Sequence, residues 1–372
     1  MIKTNLYIIL HNSTQAFPEY MLLDFLIIGQ GLAGTTLAWQ LLDKGAKFRI
    51  IDQEKKHTSS WAAAGLYNPV TGRQMVKTWQ AENLFDYLQK FYRDIENRTG
   101  QNFLHPKPIY RPFISQGEQN DWLAKADNKA FAPFVEKVAS KSLFPDALHD
   151  PWGGIVLKQS GYVDVPLYLE ASRNFFRQQD LYLSQAVEGI DIQIIQDGVS
   201  LYGLQARTLI YCDGPDAAQN PYFNWLPFSP VKGEILLIKP EIDHDVVFNR
   251  GIFVLPTGTY SKVGSTYDHH DLSYQATEKA KKYLEEKIGK LCKFRYKVVD
   301  HIAGVRPATR DRKPFIGLHP TQKPLAIFNG LGTKGVSLAP YFARQFTEHL
   351  LEQKPLEEAI DVKRFYHLYN TV

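Results

Sequence analysis

At 372 residues the chain exceeds the usual length of one compact domain, so two domains or one large α/β unit are expected. Apolar residues make up 44% and charged residues 22%, which is globular rather than disordered, and a net charge of +4 gives no reason to expect a nucleic-acid partner. The two cysteines, Cys212 and Cys292, are far apart, which excludes a disulfide framework or a Cys-rich metal site and fits a reducing cytoplasm.

Residues 1–20 hold one short apolar stretch, Leu6–Leu10, with Lys3 upstream and mostly polar positions after it. That weakly resembles a signal peptide, but the run is shorter than such a segment needs. Residues 1–20 are therefore read as a disordered extension, or the product of an upstream start codon, with Met21 opening the folded part. No apolar run reaches the roughly 18 residues of a membrane span. Leu22–Ile28 reads as a buried strand ending at Gly29, and Leu32–Lys44 has helical spacing and stops at Gly45. Lys47–Asp52 is a second short strand, completing a β-α-β unit with parallel strands. Glu82–Arg98 is an amphipathic helix, Pro106–Pro112 is extended, and Asp121–Lys129 is a short exposed helix ending before Pro133. Gly161–Val165 is extended and leads into a helix over Pro166–Gln178, with proline in its first turn. Strands follow at Ala206–Cys212, Gly233–Lys239, Gly251–Pro256 and Ser261–Thr266, then a charged helix at Gln275–Ile288. Ala326–Asn329 is a last strand, followed by a glycine-rich loop and the helix Val336–Leu351. The two ends of the chain look α/β, whereas 90–150 and 220–300 look like a separate layer with longer strands.

Gly29-Gln30-Gly31-Leu32-Ala33-Gly34 fits G-x-G-x-x-G, and it lies where the chemistry requires, between a strand and a helix. Gly29 permits the tight turn, Gly31 lets a pyrophosphate approach the backbone, and Gly34 lets helix and strand pack closely. The helix start offers free N–H groups to the phosphates. Asp52, at the end of the next strand, suits a ribose with free hydroxyls and disfavours NADP. The motif alone does not separate FAD from NAD. Ala62 to Gly65 suit a backbone passing close to a ligand. Gly330, Gly332 and Gly335 precede a second helix start, another anion-friendly end. Arg306, restrained by Pro307, carries a planar fork suited to a carboxylate; a structural ion pair to Asp311 or another acid is the competing reading. No metal-ligand spacing occurs.

Over roughly residues 22 to 352 the chain resembles the D-amino-acid-oxidase-like family, which includes glycine oxidase and monomeric sarcosine oxidase. Four stretches carry the resemblance: Ser59-Ser60-Trp61-Ala62-Ala63-Ala64-Gly65; Gly161-Tyr162-Val163-Asp164; Gly304-Val305-Arg306-Pro307-Ala308-Thr309-Arg310-Asp311 with Pro314-Phe315-Ile316-Gly317; and Gly330-Leu331-Gly332-Thr333-Lys334-Gly335. The resemblance implies a Rossmann-type FAD-binding domain with an interleaved α+β substrate domain containing a larger antiparallel or mixed sheet. The FAD-binding domain would comprise 21–88, 150–222 and 302–372, and the substrate domain 89–149 and 223–301. It implies FAD as cofactor, non-covalent because neither cysteine lies near the late arginine. Implied cofactor-binding residues are Gly29, Gly31, Leu32, Ala33, Gly34, Asp52, Ser60, Ala63, Ala64, Gly65, Val187, Gly214, Gly330, Gly332, Thr333, Lys334, Gly335 and Val336. Arg306 would hold a substrate carboxylate. Lys262 would sit where a cation assists oxygen chemistry, and Lys334 would contact flavin or substrate.

Three features depart from the pattern. Phe253 stands where glycine oxidase-like enzymes carry a tyrosine, with Tyr260 or Tyr67 as candidate substitutes. Asp213 sits beside Gly214 without an evident reason. Leu66–Trp79, with Asn68, Arg73 and Lys77, is a basic stretch read as a solvated loop or a substrate entrance. The activity implied is oxidation of the C–N bond of a small amine or amino acid by hydride transfer to flavin N5, with oxygen or another acceptor taking the electrons. The competing readings are a flavin oxidase acting on a modified tRNA side group, a dinucleotide-binding protein without turnover, and an NAD-dependent dehydrogenase.

Overall fold

Strand Leu23–Ile28 ends at the glycine motif, and the chain turns directly into helix α1, Leu32–Asp43. In the computed structural model residues 22–55, 58–71, 75–125, 128–187 and 191–369 are described; the segment 1–21 and Arg73 lie outside them. Leu23–Ile28 is the centre of the first large sheet. It pairs in parallel with Phe48–Asp52 on one side and Leu204–Tyr211 on the other. Tyr182–Ser184 extends the sheet beyond Phe48–Asp52. The far edge of Leu204–Tyr211 is shared by Gly198–Leu201, antiparallel, and Leu325–Asn329, parallel. Every residue of Leu325–Asn329 is buried, as parallel strands covered on both faces require.

α1 is buried continuously from Leu32 through Leu41, so it is a core helix rather than a surface one. Helix α2, Ala81–Thr99, is amphipathic and stops at Gly100, whose φ of +66° makes it a left-handed cap. Its buried Glu96 accepts the N–H groups of Phe103 and Leu104 at 2.7 Å each, which fixes the chain's exit from the helix. Helix α3 spans Gln116–Lys125, starting ahead of the Asp121–Lys129 expected from sequence. Ser115 explains the shift, because its Oγ accepts the Glu118 N–H and so starts the helix early. Helix α4, Val165–Gln178, is capped by Asp164, and helix α5, Glu278–Leu291, by Thr277. Helix α6, Gly335–Glu352, contains Pro340, which cannot donate to the Val336 carbonyl; the buried Tyr92 hydroxyl donates to it instead, at 3.1 Å.

The second large sheet runs in the order Tyr296–Arg306, Val231–Pro240, Ser261–Gly264, Ile252–Pro256, Val247–Arg250, Ile109–Pro112, Gly154–Leu157 and Val135–Ala139. It is antiparallel except where Val247–Arg250 meets Ile109–Pro112. Its longest strand, Tyr296–Arg306, is not legible as one in the sequence, because Lys297, Asp300 and His301 break the apolar alternation of an edge strand. One face of this sheet packs on α5 through Leu236, Ile238, Val254, Val263, Leu284 and Ile288. The other faces the largest core, shared with α1, α2, α4 and α6. The fold is thus mixed α/β with two large mixed sheets. The domain boundaries drawn at 88/89 and 301/302 fall inside continuous elements, α2 and the strand Tyr296–Arg306.

Candidate active site

The two glycine-rich turns meet. A Cβ added to Gly335 would lie 3.1 Å from Leu32 Cδ1, so the starts of α1 and α6 stand side by side. Both open onto one cavity of about 2080 Å³. A small ligand needs roughly 300–1,000 Å³, so this space suits a dinucleotide and a substrate together.

At the α1 end, Gly29 adopts φ +98°, and a Cβ there would meet the Cys212 carbonyl oxygen at 2.6 Å. A Cβ on Gly34 would lie 1.9 Å from the Gly29 carbonyl oxygen, which is the close helix–strand approach the motif predicts. Gly34 serves that packing and does not line the cavity, whereas Gly29, Gly31, Leu32 and Ala33 do. Ser60 Oγ accepts the Leu32 N–H at 3.1 Å. Asp52 accepts the Gln30 N–H at 2.9 Å and that of Glu54 at 2.9 Å, which holds its carboxylate at the cavity wall. Ala63, Ala64, Gly65, Val187 and Gly214 line the same cavity. Gly65 has φ +75°, and a Cβ there would collide with the Val163 carbonyl at 1.8 Å. This cradle, open to backbone approach and ending in a carboxylate, fits a dinucleotide.

Asp213 has a structural role. Its carboxylate accepts Asn220 Nδ2 and Asn329 Nδ2, each at 2.9 Å, and so ties the ends of strands Leu204–Tyr211 and Leu325–Asn329 together under the cofactor site. Burial pushes its pKa up to about 6. Cys212 is buried behind Gly29 and Gly34, and burial pushes its thiol well above the ordinary value, which suits packing rather than covalent attachment.

At the α6 end, Gly330, Gly332, Thr333, Lys334, Gly335 and Val336 all line the cavity. Gly332 donates to the Pro307 carbonyl at 3.2 Å, which brings this loop against Arg306. Arg306 lies across Gly233: a Cβ there would sit 1.8 Å from Arg306 Nη2. Nη2 donates to Ser265 Oγ at 2.8 Å and Nη1 to the Thr266 carbonyl at 3.2 Å, while the Tyr267 ring centroid stands 4.8 Å from Cζ. Asp311 instead receives Arg364 Nε at 3.0 Å, so the ion pair considered for Arg306 does not form. Burial pushes the Arg306 pKa down, and Tyr267 partly opposes it.

Lys262 is not brought into this group. In its strand Gly264 faces Phe253 and Ile235, which line the cavity, but Lys262 pairs with Leu255 and Leu237, one step beyond the wall. Burial lowers its pKa and Asp164 partly offsets this. Neither substitute tyrosine reaches the cavity. Tyr260 is exposed, and Tyr67 is buried with its hydroxyl unpartnered among the described residues. On the loop after Ser261–Gly264, which carries no motif in the sequence, Tyr267 and Tyr274 line the cavity, Tyr267 against Arg306 and Tyr274 within electrostatic reach of Asp216. Asn68, Thr71, Lys77, Thr78 and Trp79 do line the cavity, so that stretch is part of the site wall. Among the described residues no cluster of metal-binding side chains occurs, and no helix is long and apolar enough to cross a membrane.

The chain is similar to known proteins in sequence and in fold. The tRNA 5-methylaminomethyl-2-thiouridine biosynthesis bifunctional protein MnmC of Hahella chejuensis is 25% identical across 92% of this chain and 58% of its own length. The chain spans little more than half the length of the first curated relatives it matches. The glycine oxidase of Pseudomonas aeruginosa is 21% identical, covering 89% of this chain and 95% of that protein. The crystal structure of glycine oxidase from Geobacillus kaustophilus superposes with a TM-score of 0.73 at 20% identity, over 92% of this chain and 97% of that one. Residues 24–349 match the model of the DAO family, described as FAD dependent oxidoreductase; the chain belongs to that family and is an FAD-dependent oxidoreductase.

Proposed function

We propose that the chain oxidises the C–N bond of a small amino acid or secondary amine that carries a carboxylate. The observation behind this is Arg306, a cavity-wall guanidinium that donates to a hydroxyl and a carbonyl and, among the described residues, to no acid. A carboxylate completes its donor set, and the planar fork favours bidentate contact. When bound, FAD would supply the two-electron acceptor for oxidation of the substrate C–N bond to an imine, which water would hydrolyse to a carbonyl and an amine. Arg306 sets the orientation of that α-carbon. The N–H groups at the start of α6 would help hold the cofactor and stabilise negative charge on it. An amine that arrives neutral needs no dedicated base. Phe253 in place of tyrosine leaves the carboxylate one hydrogen bond poorer, and the cavity-lining Ser265 hydroxyl beside Arg306 offers a replacement. Oxygen or another acceptor takes up the electrons.

The test is an anaerobic screen of amino acids and secondary amines, read as bleaching of flavin absorbance. The Arg306→Leu variant should raise KM for a carboxylate substrate at least about 100-fold, from the loss of a charge-assisted pair. Normal turnover by that variant would remove Arg306 from its assigned role. A second reading, oxidation of an amine side group on a modified tRNA, is supported by the likeness to the bifunctional tRNA-modifying relative. It requires tRNA binding that weakens steeply with salt.

A further inference from the structure

Beside Arg306 the cavity wall carries a second set of cations. Lys334, just before α6, turns toward the hairpin of Val70–Thr71 and Val76–Lys77, with Nζ 3.4 Å from Thr71 Oγ1 and 3.5 Å from Thr78 Oγ1. Thr78 already donates to the Asn68 carbonyl at 3.0 Å. Lys313 Nζ stands 3.2 Å from the centroid of the Trp79 ring, and that ring stacks on Phe342. Arg312 is exposed next to it. Lys334, Thr71, Thr78, Lys313, Trp79 and Arg312 all line the cavity.

Among the described residues Lys334, Lys313 and Arg312 enter no ion pair. Asp311, which receives Arg364 at 3.0 Å, and Glu357, which receives Gln80 at 3.1 Å and Gln345 at 2.7 Å, partly offset the charge on Lys313, but among the described residues no acid does so for Lys334. Burial pushes the Lys334 ammonium down, and Lys313 and Arg312 push it further. Like charges gathered on a partly desolvated wall repel one another unless an anion sits among them. Hydroxyls satisfy hydrogen bonds but do not cancel charge. The Gly332–Pro307 hydrogen bond places this group on the same wall as Arg306.

We propose that Lys334, backed by Lys313 and Arg312 and flanked by the Thr71 hydroxyl, forms a second anion subsite, so that the substrate is an amine bearing two acidic groups. This rests on the reading of Arg306 as the anchor of the first carboxylate. The second group is a carboxylate or a phosphoryl group at the end of the substrate remote from the reacting carbon. The subsite separates such substrates from simple amino acids.

The test titrates the FAD-loaded enzyme with non-reacting acids and reads the shift in flavin absorbance. Acetate and butyrate carry one acid; succinate, glutarate and adipate carry two at increasing separation; 3-phosphonopropionate replaces one carboxylate by a phosphonate. One diacid should bind about 30-fold more tightly than butyrate, the value of one additional charge-assisted contact. The phosphonate arm, set against succinate, tells which acid is preferred. In chains that load FAD, Lys334→Met should bring the best diacid to within about threefold of butyrate. Lys313→Met, which leaves the α6 start intact, should lose part of the same advantage, and it carries the test if Lys334→Met loads no FAD. Equal affinity for one and two acids in the unaltered enzyme overturns the subsite. So does equal weakening of both by Lys334→Met, which would assign Lys334 to the flavin or the first carboxylate. Arg306→Leu separates the two readings: sparing butyrate refutes the anchor, whereas losing butyrate while the diacid advantage was never present refutes the subsite alone.

Discussion

Lys232 is buried on the face of the sheet opposite Arg306, yet it should control how well Arg306 binds. Strand residues alternate in direction, and in Val231–Pro240 the residues Val231, Gly233 and Ile235 line the cavity. Lys232 and Glu234 point the other way. The Lys232 ammonium reaches Asp271 Oδ2 at 2.5 Å, Ser273 Oγ at 3.2 Å and the Gln275 carbonyl at 2.5 Å. Its backbone exchanges hydrogen bonds with Asp268 at 2.8 and 3.0 Å, and Glu234 accepts the N–H of Thr277 at 2.7 Å. Residues 265–277 are therefore a strap sewn to one strand, and its first three residues supply both hydrogen bonds and the ring contact named for Arg306.

Lys232→Met keeps the stem and deletes the charge. Hydrogen bonds from a charged group contribute about 1.5–3 kcal/mol each, but they are not additive, and removing a buried charge recovers its desolvation cost. Asp271 is partly exposed and regains water; Glu234 stays buried with a fixed hydrogen-bond set. The expected net loss is about 2–4 kcal/mol of stability. With the strap loosened, Arg306 loses its preorganised pose, and KM for a carboxylate substrate should rise about tenfold, or ~1.4 kcal/mol. The kcat at saturation should change less, and hydrogen exchange should accelerate over 265–277 ahead of the rest. A variant that holds FAD, exchanges normally in the strap and keeps its KM would refute the coupling.

Gly233→Ala should have the same functional sign from the other face: its Cβ would overlap Arg306 Nη2 at 1.8 Å, so KM should rise at least about tenfold with flavin content retained. Gly34→Ala places a Cβ 1.9 Å from a backbone oxygen that cannot yield cheaply; overpacking of this kind costs about 1–3 kcal/mol, and FAD per chain after purification should fall. His319 is buried against Tyr222, Phe223, Trp225 and Tyr369, and its Nδ1 accepts the N–H groups of Thr321 and Gln322 at 3.3 and 3.0 Å. Burial lowers its pKa from 6.5, so the folded state binds its proton less readily than the unfolded state. The stability it contributes is full above 6.5 and is lost as pH falls below that value. Melting temperatures between pH 7.5 and 5 should decline less in His319→Asn, whose amide oxygen replaces the Nδ1 acceptor; equal slopes would show that another group governs the decline.

The nucleotide-binding half was legible because its signals are local. Gly29, Gly31 and Gly34 lie within one short stretch of chain, and the strand, helix and Asp52 around them follow in order. Helices α1, α2, α4 and α6 announced themselves by spacing and by boundary residues such as Gly45 after α1 and Pro166 in the first turn of α4. The second sheet was harder. Edge strands such as Tyr296–Arg306 and Val135–Ala139 expose one face and carry charged residues there, so they show no apolar run. Helix α3 starts earlier than expected because the Ser115 hydroxyl caps it.

The site divides in the same way. Cofactor contacts come from backbone geometry, and glycine records backbone geometry in the sequence itself. Substrate contacts come from side chains that several distant segments bring together. Arg306 was found from its neighbours Gly304 and Pro307, but what holds it, Ser265 to Tyr267, follows a strand some forty residues earlier and carries no motif of its own. Lys262 was placed by the family resemblance alone, and the register sets it beside Leu255 and Leu237, one residue pair beyond the cavity wall at Gly264. The one trace of the strap in the sequence is Val231-Lys232-Gly233-Glu234, a strand start with two charges around a glycine. Two charges that alternate with a glycine cannot face the same side as it does. Their burial therefore required partners behind the sheet, and the missing Cβ required something large in front of it.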